Sequence, residues 1–292
     1  MEVRVAPWRV ARLSPRARLS EAAWGVVLVL PYVFVFAAFV LYPIVYGLWL
    51  GSDLSSYRRL QGDPIYWRTV RNTLVFILAG VNLKLFLALL LSGFFFLPHR
   101  WIRWLGVVFI LPWAVPSIPT ILSYRWMLNS EWGMLNSLLF KLGIEGPWWL
   151  NRPDLALGAA ITVHIWKWTP FWTLILLAGR MAIPQEVYEA AALDGASAVK
   201  GFVHVTFPML RNLYLTSTLL STIWTLGDFN SIYLLTGGGP VDSTHVLATL
   251  GIRYAFVVGD LRTGVAVAIT ALPFVVPLVV YLVRRLGRRV EL

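Results

Sequence analysis

The sequence contains no cysteine. Disulfides, iron–sulfur clusters, thiolate zinc sites and cysteine nucleophiles are excluded together. Charge is scarce too: 13% of the 292 residues are Asp, Glu, Lys or Arg, against about 25% in ordinary soluble domains. So few charges cannot cover the surface of a soluble fold of this length. Disorder is excluded as well, because it needs low hydrophobicity and high charge. The four histidines, at 99, 164, 204 and 245, are too dispersed for a metal-ligand spacing. No G-x-x-x-x-G-K-S/T loop is present, so the chain does not hold nucleotide phosphates by that route. Internal repeats and low-complexity tracts are also missing.

What is abundant is apolar. Hydrophobic residues make up 58% of the chain and the mean hydropathy is +0.70. A spanning helix needs about 20 mostly apolar residues to cross a hydrocarbon core about 30 Å thick. Six blocks meet that need, at about 24–50, 72–97, 104–127, 155–179, 210–235 and 264–283. The expected fold is an all-α polytopic membrane protein with six transmembrane helices. The first apolar run is far longer than the 7–15 residues of a signal-peptide core, so it reads as an uncleaved anchor. The parts are a tail at 1–23, a transmembrane domain at 24–283 and a second tail at 284–292.

The net charge is +11. In a soluble protein that balance would suggest nucleic acid; here it fits the excess of Lys and Arg on cytoplasmic flanks, and no nucleic-acid partner is expected. With the N-terminus inside, fourteen basic residues fall on the cytoplasmic side: five in the tail, two at 98–103, three at 180–211 and four at the C-terminus. Eight fall outside: four at 51–71 and two each at 128–154 and 236–263. Both termini are therefore expected in the cytoplasm, in a cell membrane. Most of the 15 tryptophans suit the interfacial belts.

One inner loop, 183–210, reads IPQEVYEAAALDGASAVKGFVHVTFPML. Pro184 suits a first helical turn. Glu186 and Glu189 suit the positive end of a helix dipole. Gly195 can close that helix in the left-handed region, Ser197 can cap a second helix, and Pro208 is expected to end it. By local physics this is a helical hairpin, and a plain surface connector would look the same. Glu189-Ala190-Ala191, Asp194-Gly195-Ala196, Phe202 and Pro208 together, however, resemble the EAA loop of bacterial ABC importer permeases. The runs WKWTPFW (166–172) and FNSIYLLTGGGP (229–240), with Ser243 and Thr244, are similar to the carbohydrate-uptake permeases related to the maltose system, more to the first permease of the pair than the second.

The resemblance implies a transport subunit, not an enzyme. Its expected partners are a second homologous permease, two ATPase subunits, an extracytoplasmic sugar-binding protein, a carbohydrate substrate and the lipid bilayer. No cofactor is expected on this chain, since ATP and Mg would sit on the ATPases. The loop residues Glu189, Ala190, Ala191, Asp194, Gly195, Ala196 and Pro208 would couple to the ATPase. The resemblance places a membrane sugar site at positions matching Trp166, Phe171, Phe229 and Asn230. The residues themselves add His164, Lys167, Trp168 and Asp228, because ionisable groups at bilayer depth are functional candidates and sugars need flat aromatics beside hydrogen-bonding groups. A lone buried ammonium is costly, so Lys167 is expected either to pair with Asp228 in at least one transport state or to reach water in the cavity while Asp228 serves the outer mouth. Lys84 reads as a buried, hydrogen-bonded residue between helices. Pro112, Pro116 and Pro119 suggest a broken helix lining a cavity, or a plain kink. Two other readings compete: an ABC permease for another substrate class, such as a glycerol-phosphate-type compound, and a membrane-embedded enzyme, for which the 14 scattered acidic residues offer no cluster.

Overall fold

A computed structural model describes residues 21–287. Residues 1–20 and 288–292, which hold most of the two expected tails, lie outside the described residues. The chain divides into two units, Met1–Leu50 and Gly51–Leu292. All regular structure among the described residues is helical.

In the first unit, α1 (Glu21–Phe36) runs through a π-turn (Ala37–Leu41) into α2 (Tyr42–Leu50). The Tyr42 N–H closes that turn onto the Ala37 carbonyl. Pro43 comes next. In a regular helix its ring would crowd the carbonyl four residues back, and the wider turn relieves that clash. Ala23–Leu50 thus makes a continuous apolar helix of 28 residues, long enough to cross a membrane. Large side chains such as Leu28, Phe34 and Phe39 are exposed along it.

The second unit opens with α3 (Leu54–Gly62) and α4 (Pro64–Phe95). The Asp63 carboxylate accepts from the Ile65 N–H at 2.8 Å and Pro64 occupies the first turn, so α4 begins eight residues before the expected block. The third block is broken: α5 (Arg100–Ala114) and α6 (Ser117–Met127) are bent by 94° at Val115-Pro116. After α7 (Met134–Lys141) comes α8 (Pro153–Met181), the 29-residue centre of the unit. The hairpin α9 (Gln185–Leu193) and α10 (Ala198–Gly201) leads through a π-turn (Phe202–Thr206) into α11 (Phe207–Leu226). The fifth block, expected as one helix, is interrupted at Gly227–Phe229 before α12 (Asn230–Thr236). α13 (Leu247–Ile252) and its π-turn (Arg253–Val258) precede α14 (Leu261–Ile269) and α15 (Leu272–Gly287).

Among the described residues, three helical stretches are long and apolar enough to span a membrane: Ala23–Leu50, Pro64–Phe95 and Leu261–Tyr281. The bent pair α5–α6 makes a fourth if it counts as one span. α8 and α11 have the length but are less apolar, because their buried faces carry His164, Lys167, Thr173, Ser217 and Ser221.

Packing places the site. Phe76, Ile121, Ala160, Ile161, Ile232 and Leu235 bring α4, α6, α8 and α12 together. Val81, Leu85, Trp172, Leu176 and Leu210 join α4, α8 and α11. At Gly179 a Cβ would overlap the end of the Leu213 side chain, so a larger residue there would have to displace Leu213 between α8 and α11. A third cluster, Leu60, Leu247, Leu250 and Val267, joins α3, α13 and α14.

Candidate functional site

Between the first two apolar clusters, three ionisable side chains meet. Lys84 Nζ of α4 donates to Nε2 of His164 on α8 at 2.9 Å and lies 3.4 Å from Thr225 Oγ1 on α11. His164 Nδ1 stands 2.7 Å from Oδ2 of Asp228, in the break between α11 and α12. A lysine ammonium can only donate, so Nε2 is the bare nitrogen and Nδ1 carries the hydrogen that Asp228 accepts. A neutral imidazole thus joins an ammonium to a carboxylate. Asp228 also accepts from the Ser231 hydroxyl at 2.5 Å and the Ser231 N–H at 3.1 Å. It therefore caps the first turn of α12 while tying that helix to α8 and α4.

These groups line a cavity of about 350 Å³. Trp168, Trp172 and Trp224 form an aromatic wall, with ring centroids 6.2 Å apart for Trp168 and Trp224 and 5.6 Å for Trp172 and Trp224. Phe229 and Asn230 line the cavity at the start of α12, and Ser221 and Thr225 line it from α11. Of the eight residues expected at a site, His164, Trp168, Asp228, Phe229 and Asn230 share this cavity. Trp166, Lys167 and Phe171 do not line it. Trp166 packs edge-on against Tyr124 at 4.9 Å. Phe171 stands against Trp224, Trp172 and Trp113.

Lys167 is placed differently from expectation. Its Nζ donates to the Pro112 carbonyl at 3.1 Å and the Val115 carbonyl at 2.8 Å, not to Asp228. In a helix those carbonyls would be bonded by the N–H groups of residues 116 and 119. Both positions are proline and have none. Lys167 supplies the donors that the prolines lack, at the bend between α5 and α6. Asp228 already has His164 and Ser231. The Lys167–Asp228 pair is absent from this structure.

Lys84, Trp172, Ser221, Trp224, Thr225 and Gly227 are the cavity residues outside the site expected from the sequence. Lys84 does sit between helices and is hydrogen-bonded, as expected, but it also faces the cavity. The default that an ionisable residue at bilayer depth is functional would have found it. No signal in the sequence marks Ser221 or Thr225, because Ser and Thr commonly bond their own helix. Among the described residues no group of three His, Cys, Asp or Glu is placed to hold a metal ion.

The 183–210 segment forms the expected hairpin. α9 follows Pro184, Gly195 is left-handed at φ 76°, and the Ser197 hydroxyl accepts from the Lys200 N–H at 3.4 Å. Glu189, Ala190, Asp194 and Gly195 are exposed, while Ala191 and Ala196 are partly covered. Pro208 is a correction. It does not end the second helix but lies in the first turn of α11. The π-turn directly before it, closed by Phe207 N–H onto the Phe202 carbonyl, makes room for its ring, as at Pro43.

Residues 84–292 match the family model described as binding-protein-dependent transport system inner membrane component. The chain belongs to this family. It is 33% identical over 295 residues to the trehalose/maltose transport system permease protein MalF of Thermococcus litoralis, covering 94% of this chain and 97% of that one. It is 32% identical over 282 residues to the sulfoquinovosyl glycerol transport system permease protein SmoG of Agrobacterium fabrum, covering 91% of each. In fold it matches a chain of a bacterial ABC transporter that imports the acidic polysaccharide alginate, with a TM-score of 0.78 over 92% of this permease and 96% of that chain, at 19% identity.

Proposed function

We propose that this permease is the membrane-spanning subunit of an ABC importer that passes a carbohydrate through the Lys84–His164–Asp228 cavity. The observation that carries the reading is the lining of that cavity. Three tryptophans offer flat faces to the C–H side of a sugar ring. Lys84 has an N–H to spare, and Asn230 supplies both a donor and an acceptor for hydroxyls. The names of the relatives support the substrate class: maltose or trehalose, sulfoquinovosyl glycerol, and lactose for LacF of Rhizobium radiobacter.

Six spans are the topology proposed: α1–α2, α4, α5–α6, α8, α11–α12 and α14–α15, with both tails and the 183–210 loop in the cytoplasm. The fourteen-to-eight distribution of basic residues supports that orientation. The hairpin would dock on one of two ATPase subunits, which bind ATP and Mg. Its exposed apolar tip, Leu193 and Val199, suits such a contact. A second permease and an extracytoplasmic binding protein complete the assembly. A solved relative of the fold is described in complex with an alginate pentasaccharide-bound periplasmic protein.

The test is reconstitution of the chain with its co-purifying subunits and measurement of sugar uptake with binding protein present. Trp224→Ala combined with Asn230→Ala should reduce uptake at least tenfold while ATPase subunits remain bound. Unchanged uptake in that double variant would remove the proposed site.

A further inference from the structure

A second cavity, of about 180 Å³, lies at the opposite end of α12. Arg125 of the last α6 turn, Asn129 just beyond it and Asn151 ahead of α8 line it, with Thr236 at the end of α12. No acidic residue lines it. Arg125 and Asn151 are exposed to solvent, and the guanidinium of Arg125 has no ion-pair or hydrogen-bond partner among the described residues. The Asn129 side-chain oxygen already accepts from the N–H groups of Glu131 at 2.9 Å and Trp132 at 3.1 Å, which leaves its amide nitrogen free to donate.

The two cavities differ in charge. In the first, Asp228 answers the ammonium of Lys84 through His164. In the second, a solvent-exposed cation without a protein partner stands beside two asparagines. A planar five-donor fork with neighbouring N–H groups is the arrangement that binds a carboxylate, sulfonate or phosphate. α12 links the two, with Asn230 lining one cavity and Thr236 the other, six residues or about 9 Å apart along a helix.

We propose that the Arg125 cavity is a subsite for an anionic oxyacid group, and that the substrate supplies it, as an acidic sugar whose neutral ring moves on to the tryptophan-lined cavity. This inference rests on the transport reading above. A lipid phosphate has the same chemistry, and the test separates the two sources.

The full chain with its co-purifying subunits is placed in phosphatidylcholine nanodiscs, with or without phosphatidylglycerol, and titrated with glucuronate and glucose. The expected result is preference for glucuronate, with the ratio of affinities falling at least tenfold in Arg125→Gln. Arg125→Lys, which keeps the charge and loses the fork, should fall between and covers the case that Arg125→Gln fails to assemble. Arg58→Gln in the first loop should leave the ratio alone. An unaltered ratio in both Arg125 variants overturns the proposal. Arg125-dependent retention of phosphatidylglycerol without glucuronate preference also overturns it, because the occupant is then lipid. Loss of binding for both sugars in the wild type would instead sink the transport reading on which it rests.

Discussion

Lys84 and Lys167 are both almost fully buried, at 2% and 3% exposure, and the protein accommodates them in different ways. Lys84 is held by side chains from two other helices, with a carboxylate one imidazole away. Lys167 is held by two backbone carbonyls at a helix break. The first arrangement links α4, α8 and the α11–α12 break, so each of its members depends on the others. The second depends on the conformation of one bend. Buried charge needs a partner, and a broken helix needs donors for its freed carbonyls. At Lys167 one residue meets both needs.

The largest expected effect breaks the first arrangement. Lys84→Met or Asp228→Asn should each destabilise the assembled protein by about 3–5 kcal/mol, because each leaves an uncompensated buried charge. The double variant should recover much of that loss, a coupling that thermal melting of the purified complex would detect. If the losses add, the two charges do not act through His164.

Lys167→Met should cost about 2–3 kcal/mol through loss of its charge-assisted bonds to carbonyls. Here Asp228→Asn should give no recovery. Pro116→Ala with Pro119→Ala should, because it restores the N–H groups that Lys167 replaces. Recovery with Asp228→Asn instead would erase the distinction between the two lysines.

Gly195 lies in the hairpin and tests a region tied to neither lysine. A Cβ there meets nothing within 4 Å, so only its φ of 76° resists substitution. Gly195→Val should cost about 1–2 kcal/mol locally, and Gly195→Asn less. Hydrogen exchange of 185–201 would show the effect without a change in α4 or α8. Gly195→Trp adds bulk facing outward and should impair ATPase docking.

The smallest effect is expected at Asp260, which caps α14 through Thr263 and pairs with Arg59 of α3 at 2.9 Å. Burial opposes its charged form, yet the hydrogen bonds from Thr263 and the nearby Arg59 outweigh that and hold its pKa below the ordinary 3.8. Its contribution is complete above the unfolded carboxylate value and is lost as pH falls through the lower native one. Asp260→Ala should cost about 1 kcal/mol near neutral pH. The difference from wild type should disappear in strong acid, a dependence unlike that of either lysine variant.

Much of this was legible in the residues. Three of the six apolar blocks correspond to helical stretches long and apolar enough to span, and a fourth to the bent pair α5–α6, because a bilayer imposes length and hydrophobicity on each span separately. Gly195 and Ser197 were readable because turn and cap geometry act over a few residues. Pro208 was misread because a proline stops a helix or starts one, and the π-turn before it is not written in any single residue. The Lys167 contact could have been found. Three prolines spaced 112, 116 and 119 leave the carbonyls of 112 and 115 without donors, and a nearby buried lysine is an apt replacement.

The sequence by itself determined the membrane class, the helical hairpin and its family resemblance, since these rest on composition, period and contiguous motifs. Only the tertiary structure decided the partners of the buried charges. Lys84, His164 and Asp228 are separated by 80 and 64 positions. Which of two lysines meets the carboxylate depends on how helices cross and where they bend, and those follow from the packing of all the faces at once.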